Sequence, residues 1–174
     1  MKNKLVIILS IMFFASIICS TTSAIDTELT RRTISGLQGV NVIVEEMQPN
    51  IQRYSQKTGL TKEQIQTDVE TKLRSAGIKV FTLSEWQKTP GRPVFYVNIN
   101  THEYERYWYA YNINLELRQI VSLEANPSLK TLASTWSIEM TGTANIGTLS
   151  SIRNNVGSLV DKFVEACRAA NQKK

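Results

Sequence analysis

The sequence predicts an α+β fold: a two-layer sandwich whose mixed five-stranded sheet follows the order β-α-β-β-β-β-α, with two helices on one face. Three observations lead there. From Tyr107 to Leu123, the residues Tyr107, Tyr109, Tyr111, Ile113, Leu115 and Leu117 alternate with Trp108, Ala110, Asn112, Asn114, Glu116 and Arg118. That is the period of one long strand with an apolar face and a mainly polar one. Residues 61–76 and 150–167 each carry apolar side chains at spacings of three and four, the pattern of a helix buried along one stripe.

The chain opens on Lys2 and Lys4, followed by an apolar run from Leu5 to Cys19. At about 1.5 Å per residue this run spans roughly 23 Å, short of the roughly 30 Å core of a bilayer. Thr22-Ser23-Ala24 then supplies small residues, completing the layout of a secretory signal peptide over residues 1–24. The expected product is a single α/β domain, residues 25–174, with an ordered core from about 36 to 170. Its destination is the periplasm or the medium, with no transmembrane span after cleavage. Cys19 invites a lipid-anchored reading, but Ile18 before it is larger than that processing tolerates.

The 150 residues that remain are enough for one real core. They carry 18 basic against 15 acidic residues, a mild +3 spread along the chain that selects no polyanionic partner. One cysteine, Cys167, is left, so an internal disulfide is excluded and stability must come from packing. Its place on a helical apolar stripe makes it a buried structural thiol.

Ile25 to Thr33 is polar and reads as a frayed terminus containing Arg31-Arg32. Val40 to Glu45 is rich in β-branched residues and gives the first strand, ended by Pro49 and a polar connection to Gly59. The first helix has a start signal: Thr61 as cap, Gln64 to reach back, and Leu60 to pack on Ile65. Ile65, Val69, Leu73 and Ala76 form its stripe and Gly77 its stop. Ile78 to Leu83 reads as a second strand, parallel to the first through a right-handed crossover. Ser84 to Arg92 is a loop in which Trp86 closes one end of the core. Val94 to Asn100, the long strand and Thr131 to Thr143 form an antiparallel meander, with Leu132, Trp136, Ile138 and Met140 in step. Ser150 or Ser151 caps the last helix, whose stripe is Ile152, Val156, Leu159, Val160, Phe163, Val164 and Cys167.

Chemistry is sparse. The single histidine, His102, sits in an expected turn with Glu103 and Glu105, and no metal-ligand spacing occurs. Glu45-Glu46 and Asp68/Glu70 are the carboxylates that could be posed as an acid–base pair, but solvated surface charges explain them as well. No catalytic residue, cofactor or metal site is therefore assigned. Tyr107, Tyr109 and Tyr111 fall on the apolar side in register with Ile113. Trp108 points the other way, with Tyr96 as a neighbour able to stack on a ligand. The candidate binding surface is the polar face, namely Tyr96, Trp108, Asn112, Asn114, Glu116 and Arg118.

Gly39-Val40-x-Val42-x-Val44-Glu45, Gly59-Leu60-Thr61, Asp68-Val69-Glu70-x-Lys72-Leu73-Arg74-x-Ala76-Gly77-Ile78, Val97-Asn98-Ile99-Asn100 and Thr135-Trp136 together resemble a family of small exported bacterial proteins of unassigned function. In element order the chain is also similar to envelope α/β modules such as the amino-terminal domain of the Tol translocation protein and the lipopolysaccharide-assembly lipoprotein. These resemblances imply work in the bacterial envelope and carry over no catalytic residue.

The leading expectation is an exported, non-enzymatic protein that binds a protein or an envelope component; export argues against nucleic acid. A small hydrolase-like enzyme with a carboxylate/Tyr site, and a secreted inhibitor or effector, are the alternatives. Ligand, strand order and oligomeric state are not legible in the residues.

Overall fold

A computed structural model describes residues 22–172; the apolar run Leu5–Cys19 and the question of a lipid on Cys19 lie outside them. The chain is α+β. Its elements are β1 (Thr22–Ile25), α1 (Glu28–Arg32), β2 (Asn41–Val44), α2 (Pro49–Thr58), α3 (Lys62–Ser75), α4 (Leu83–Lys88), β3 (Val94–Glu105), β4 (Trp108–Leu123), β5 (Asn126–Asn145) and α5 (Ser150–Asn171). Four strands, β2 to β5, make the body of a mixed sheet, and the short β1 adds at one edge, giving the order β1-β5-β4-β3-β2. β3, β4 and β5 form the expected antiparallel meander, while β2 runs parallel to β3.

One face of the sheet is apolar: Val42 and Val44, Phe95, Val97 and Ile99, Tyr109 to Leu117 at alternate positions, then Trp136 and Ile138 are all buried in one cluster. The stripes of α3 and α5 complete it. Ile65, Val69 and Leu73 come from one helix and Ile152, Val156, Leu159, Val160 and Phe163 from the other. Phe163 is the centre of the packing, with its ring centroid 4.6 Å from Phe95 and 5.1 Å from Trp136. Each fully buried side chain of this size contributes on the order of 1.5–3 kcal/mol before chain entropy opposes it.

α3 begins and ends as its residues require. The Thr61 hydroxyl accepts from the Gln64 amide, Leu60 and Ile65 are both fully buried across the cap, and Gly77 takes φ +83°. The Ile78 amide then bonds back to the Leu73 carbonyl at 2.9 Å, closing the turn. The Gln64 side chain reaches forward to Asp68 instead of back to the cap.

Several expectations need correction. Five helices are present among the described residues, not two. Residues 49–58 are not a loop but α2, with Pro49 opening the first turn, Gly59 in the left-handed conformation after the last, and Ile51 and Ser55 buried. Residues 26–33 are anchored, not frayed: Thr27 and Thr30 make a reciprocal capping box, and Asp26 accepts from the Trp136 indole at 3.0 Å and from Arg31 at 2.6 Å. The expected strand 78–83 reduces to a single parallel bridge between Val40 and Val80. Its end is taken by α4, because Thr82 and Glu85 cap one another's backbone amides. The Lys79 ammonium and the Thr82 bonds hold the Glu85 carboxyl down to about 2. Trp86 lies half-buried on that helix, outside the main core, under the Arg92 guanidinium.

β3 runs on to Glu105, so His102 stands on a strand. The turn is Arg106-Tyr107, and Tyr107, at φ +69° and 41% exposed, is not a core residue. α5 is entered through Leu149, which makes no side-chain cap; neither Ser150 nor Ser151 caps it.

The largest change concerns the phase of β5. Leu117 faces Trp136, but Arg118 faces Ser134, so Thr135 is an extra residue in a bulge. The Thr135 hydroxyl donates to the Leu117 carbonyl at 3.2 Å and accepts from the Gln119 amide at 2.9 Å, fixing the bulge in place. Since the strand period is two, the inserted residue turns Leu132 away from the Trp136 side. Leu132 pairs instead with Ile120 and is 54% exposed. Beyond the bulge β4 and β5 continue as a two-stranded ribbon with Leu123 and Leu129 also exposed.

Candidate functional site

The face of the sheet opposite the helices is polar and built from the alternate residues of the strands that make the core. Asn98 stands opposite Asn114 and Asn100 opposite Asn112. The Asn112 amide donates to the Thr141 hydroxyl on the next strand at 3.2 Å. Asn100, Glu139, Thr141 and Thr143 are exposed, so the row of amides and hydroxyls across β3, β4 and β5 is open to solvent.

At one end of this face the polar groups are tied to each other. Glu116 accepts from the Asn114 amide and from the Arg118 Nε, both at 2.7 Å. Burial works to raise the Glu116 carboxyl, but the bonds from Arg118 and Asn114 and the Arg118 charge outweigh it and leave the group below its ordinary value. The Arg118 guanidinium lies 3.5 Å from the centre of the Tyr96 ring, and the Tyr96 hydroxyl donates to Glu45. Tyr96 is thereby only 8% exposed. It is a covered aromatic, not a stacking platform.

Trp108 is at the other end. Tyr96 pairs with Glu116, while Trp108 lies eight β4 positions away, about 27 Å along the strand. The two aromatics cannot share a ligand ring, which corrects the expectation that they are neighbours. Trp108 is instead 40% exposed beside Tyr104 and Tyr107, and the amide of Ile146, also exposed, bonds the Tyr107 carbonyl at 3.1 Å. The aromatic end of the surface is thus Tyr104, Tyr107 and Trp108. The alternation rule placed Tyr107 inside; only the turn at Arg106-Tyr107 puts it outside. Asn112, Asn114, Glu116 and Arg118 do lie together on the polar face, as the alternation requires.

The carboxylates that could have been posed as a pair are dispersed. Glu46 binds Lys62 at 2.8 Å, Glu70 binds Arg74 at 2.9 Å, and Asp68 is bidentate to Arg153, with one contact at 2.9 Å. The bond from Arg153 holds the Asp68 carboxyl below its usual range. A cleft of about 420 Å³ between α3 and α5 contains this pair and Lys72, but Lys72 is satisfied by the Gly157 carbonyl and Asp161. His102 is exposed on the outer face opposite Ala110. Among the described residues, no cluster of three or more His, Cys, Asp or Glu side chains is arranged to hold a metal ion. Cys167 is buried on α5, and burial pushes its thiol up to about 12. Among the described residues no helix is long and apolar enough to cross a membrane.

No protein-family model, curated protein or solved structure matches the chain.

Proposed function

We propose that the chain is an exported, non-enzymatic envelope protein that binds a protein or an envelope component through the outer face of its sheet. The observation that carries this reading is the open amide row from Asn98 to Thr141, running into the exposed aromatics Tyr104, Tyr107 and Trp108. Exposed aromatics beside solvent-facing amides and hydroxyls supply apolar contact area and directional bonding at once. Export rests on the basic, apolar and small-residue regions of residues 1–24.

The test is crosslinking in living cells from a photoreactive residue placed at Asn112 of the exported protein. One envelope component should be enriched, and Trp108→Ala should lower its yield at least tenfold with the melting temperature unchanged. A yield of abundant bystanders only, or a pattern indifferent to Trp108→Ala, overturns the surface assignment.

A further inference from the structure

β5 is the outermost strand of the sheet body, and the chain's own residues 22–25 cover part of its free edge. Thr22 pairs with Met140, Ser23 with Glu139, Ala24 with Ile138 and Ile25 with Ser137, antiparallel. The ladder continues on the β4 side as far as Asn145. Of the nine positions 137–145, β1 takes four, and no other named strand lies on that edge among the described residues. From Asp26 onward the chain is pinned independently of β1. Asp26 is bonded to Trp136 and Arg31, Ile34 is fully buried, and the Thr33 hydroxyl donates to the Thr135 carbonyl at 3.2 Å.

The expected cleavage between Ala24 and Ile25 falls inside β1. It removes three of the four pairs and leaves the anchor untouched. From this we infer that processing converts the Ile138–Asn145 edge of β5 into an acceptor for an extended segment of another protein, which adds antiparallel as a new edge strand. The inference rests on the export reading above and names the partner class of the same protein at a second surface.

The chemistry of the guest strand follows from β5. Main-chain amides and carbonyls supply the affinity, since an unpaired edge presents a row of both. Guest residues opposite Ile138 and Met140 lie on the core side, where Ile138 is 4% exposed, and are apolar or small. The residue opposite the exposed Glu139 is basic, because opposite charges across an antiparallel pair attract and like charges repel.

The experiment has two arms. Intact mass of the protein recovered from the cell envelope or medium fixes the mature end; an uncleaved chain sinks the cleavage and, with it, the opening of the edge, while leaving export itself standing. On the processed protein, amide exchange at residues 138–140 should be at least tenfold faster than in the full chain made without signal peptidase. A synthetic peptide of residues 20–24 carrying Ser23→Lys should restore the protection. An N-methylated version of that peptide should not, because its side chains are intact while its ladder donors are gone. Glu139→Lys should weaken the lysine peptide roughly two- to fivefold and favour one with glutamate at that position. Equal exchange in both forms, equal effect of the N-methylated peptide, or a concentration-dependent dimer that excludes the peptide each overturns the proposal, whatever the outcome at Trp108.

Discussion

The Tyr111 ring lies across Gly142 on the neighbouring strand, and a Cβ at Gly142 would stand 2.4 Å from the tyrosine oxygen. The same oxygen accepts from the Asn155 amide on α5 at 2.7 Å, so the ring cannot swing aside without breaking the tie between sheet and helix. Gly142→Ala should therefore destabilise the fold by about 1–3 kcal/mol in urea unfolding, the usual cost of overpacking. Asp26 offers a pH test. The bond from Arg31 chiefly, then that from Trp136, lowers its carboxyl against the opposing effect of burial. A group depressed on folding contributes stability that is present above its unfolded pKa of about 3.9 and lost as pH falls through the folded value. Asp26→Asn should thus narrow the gap in melting temperature between pH 7 and pH 3, and an unchanged gap would count against the pairing. Cys167, pushed up to about 12 by burial, should react with a thiol reagent at pH 8 only as fast as the protein opens, and rapidly in denaturant.

Among the elements, the ribbon beyond the Thr135 bulge is the most separable. Residues 122–132 are exposed throughout, so little of the core depends on them. Replacing 122–130 by a two-residue Asn-Gly turn, which joins the paired residues Val121 and Thr131, should shift the melting temperature by no more than about 4 °C, the scale of 1 kcal/mol in a domain this size. Thr135→Val is a sharper probe of the bulge itself. It removes the bonds to Leu117 and Gln119 while conserving shape, and should cost about 1 kcal/mol. α2 shows why one element escaped the pattern of apolar spacing. Only Ile51 and Ser55 are buried, so its stripe is too thin to register. The Pro49 and Gly59 punctuation was the available signal. At residues 78–83 the opposite occurred: the segment reads as a strand, but the capping pair Thr82 and Glu85 starts a helix at its end and leaves one bridge to Val40.

For the molecule as a whole, stability rests on one core gathered between a sheet face and two helices, with Cys167 the single thiol among the described residues. The two surfaces this leaves have different origins. The helices consume one sheet face and leave the amide-bearing face, whereas the β5 edge is set by strand order. The alternation of residues 107–123, the stripes of residues 61–76 and 150–167 and the signal-like start are local patterns, and they sufficed for the α+β class, the meander and the polar set Asn112, Asn114, Glu116 and Arg118. Burial of Tyr96 beneath Arg118, exposure of Tyr107, the outward turn of Leu132 and the seating of residues 22–25 on β5 came only with the tertiary structure. Each depends on an inserted residue, a turn or a partner far along the chain, and alternation within one segment carries no information about any of them.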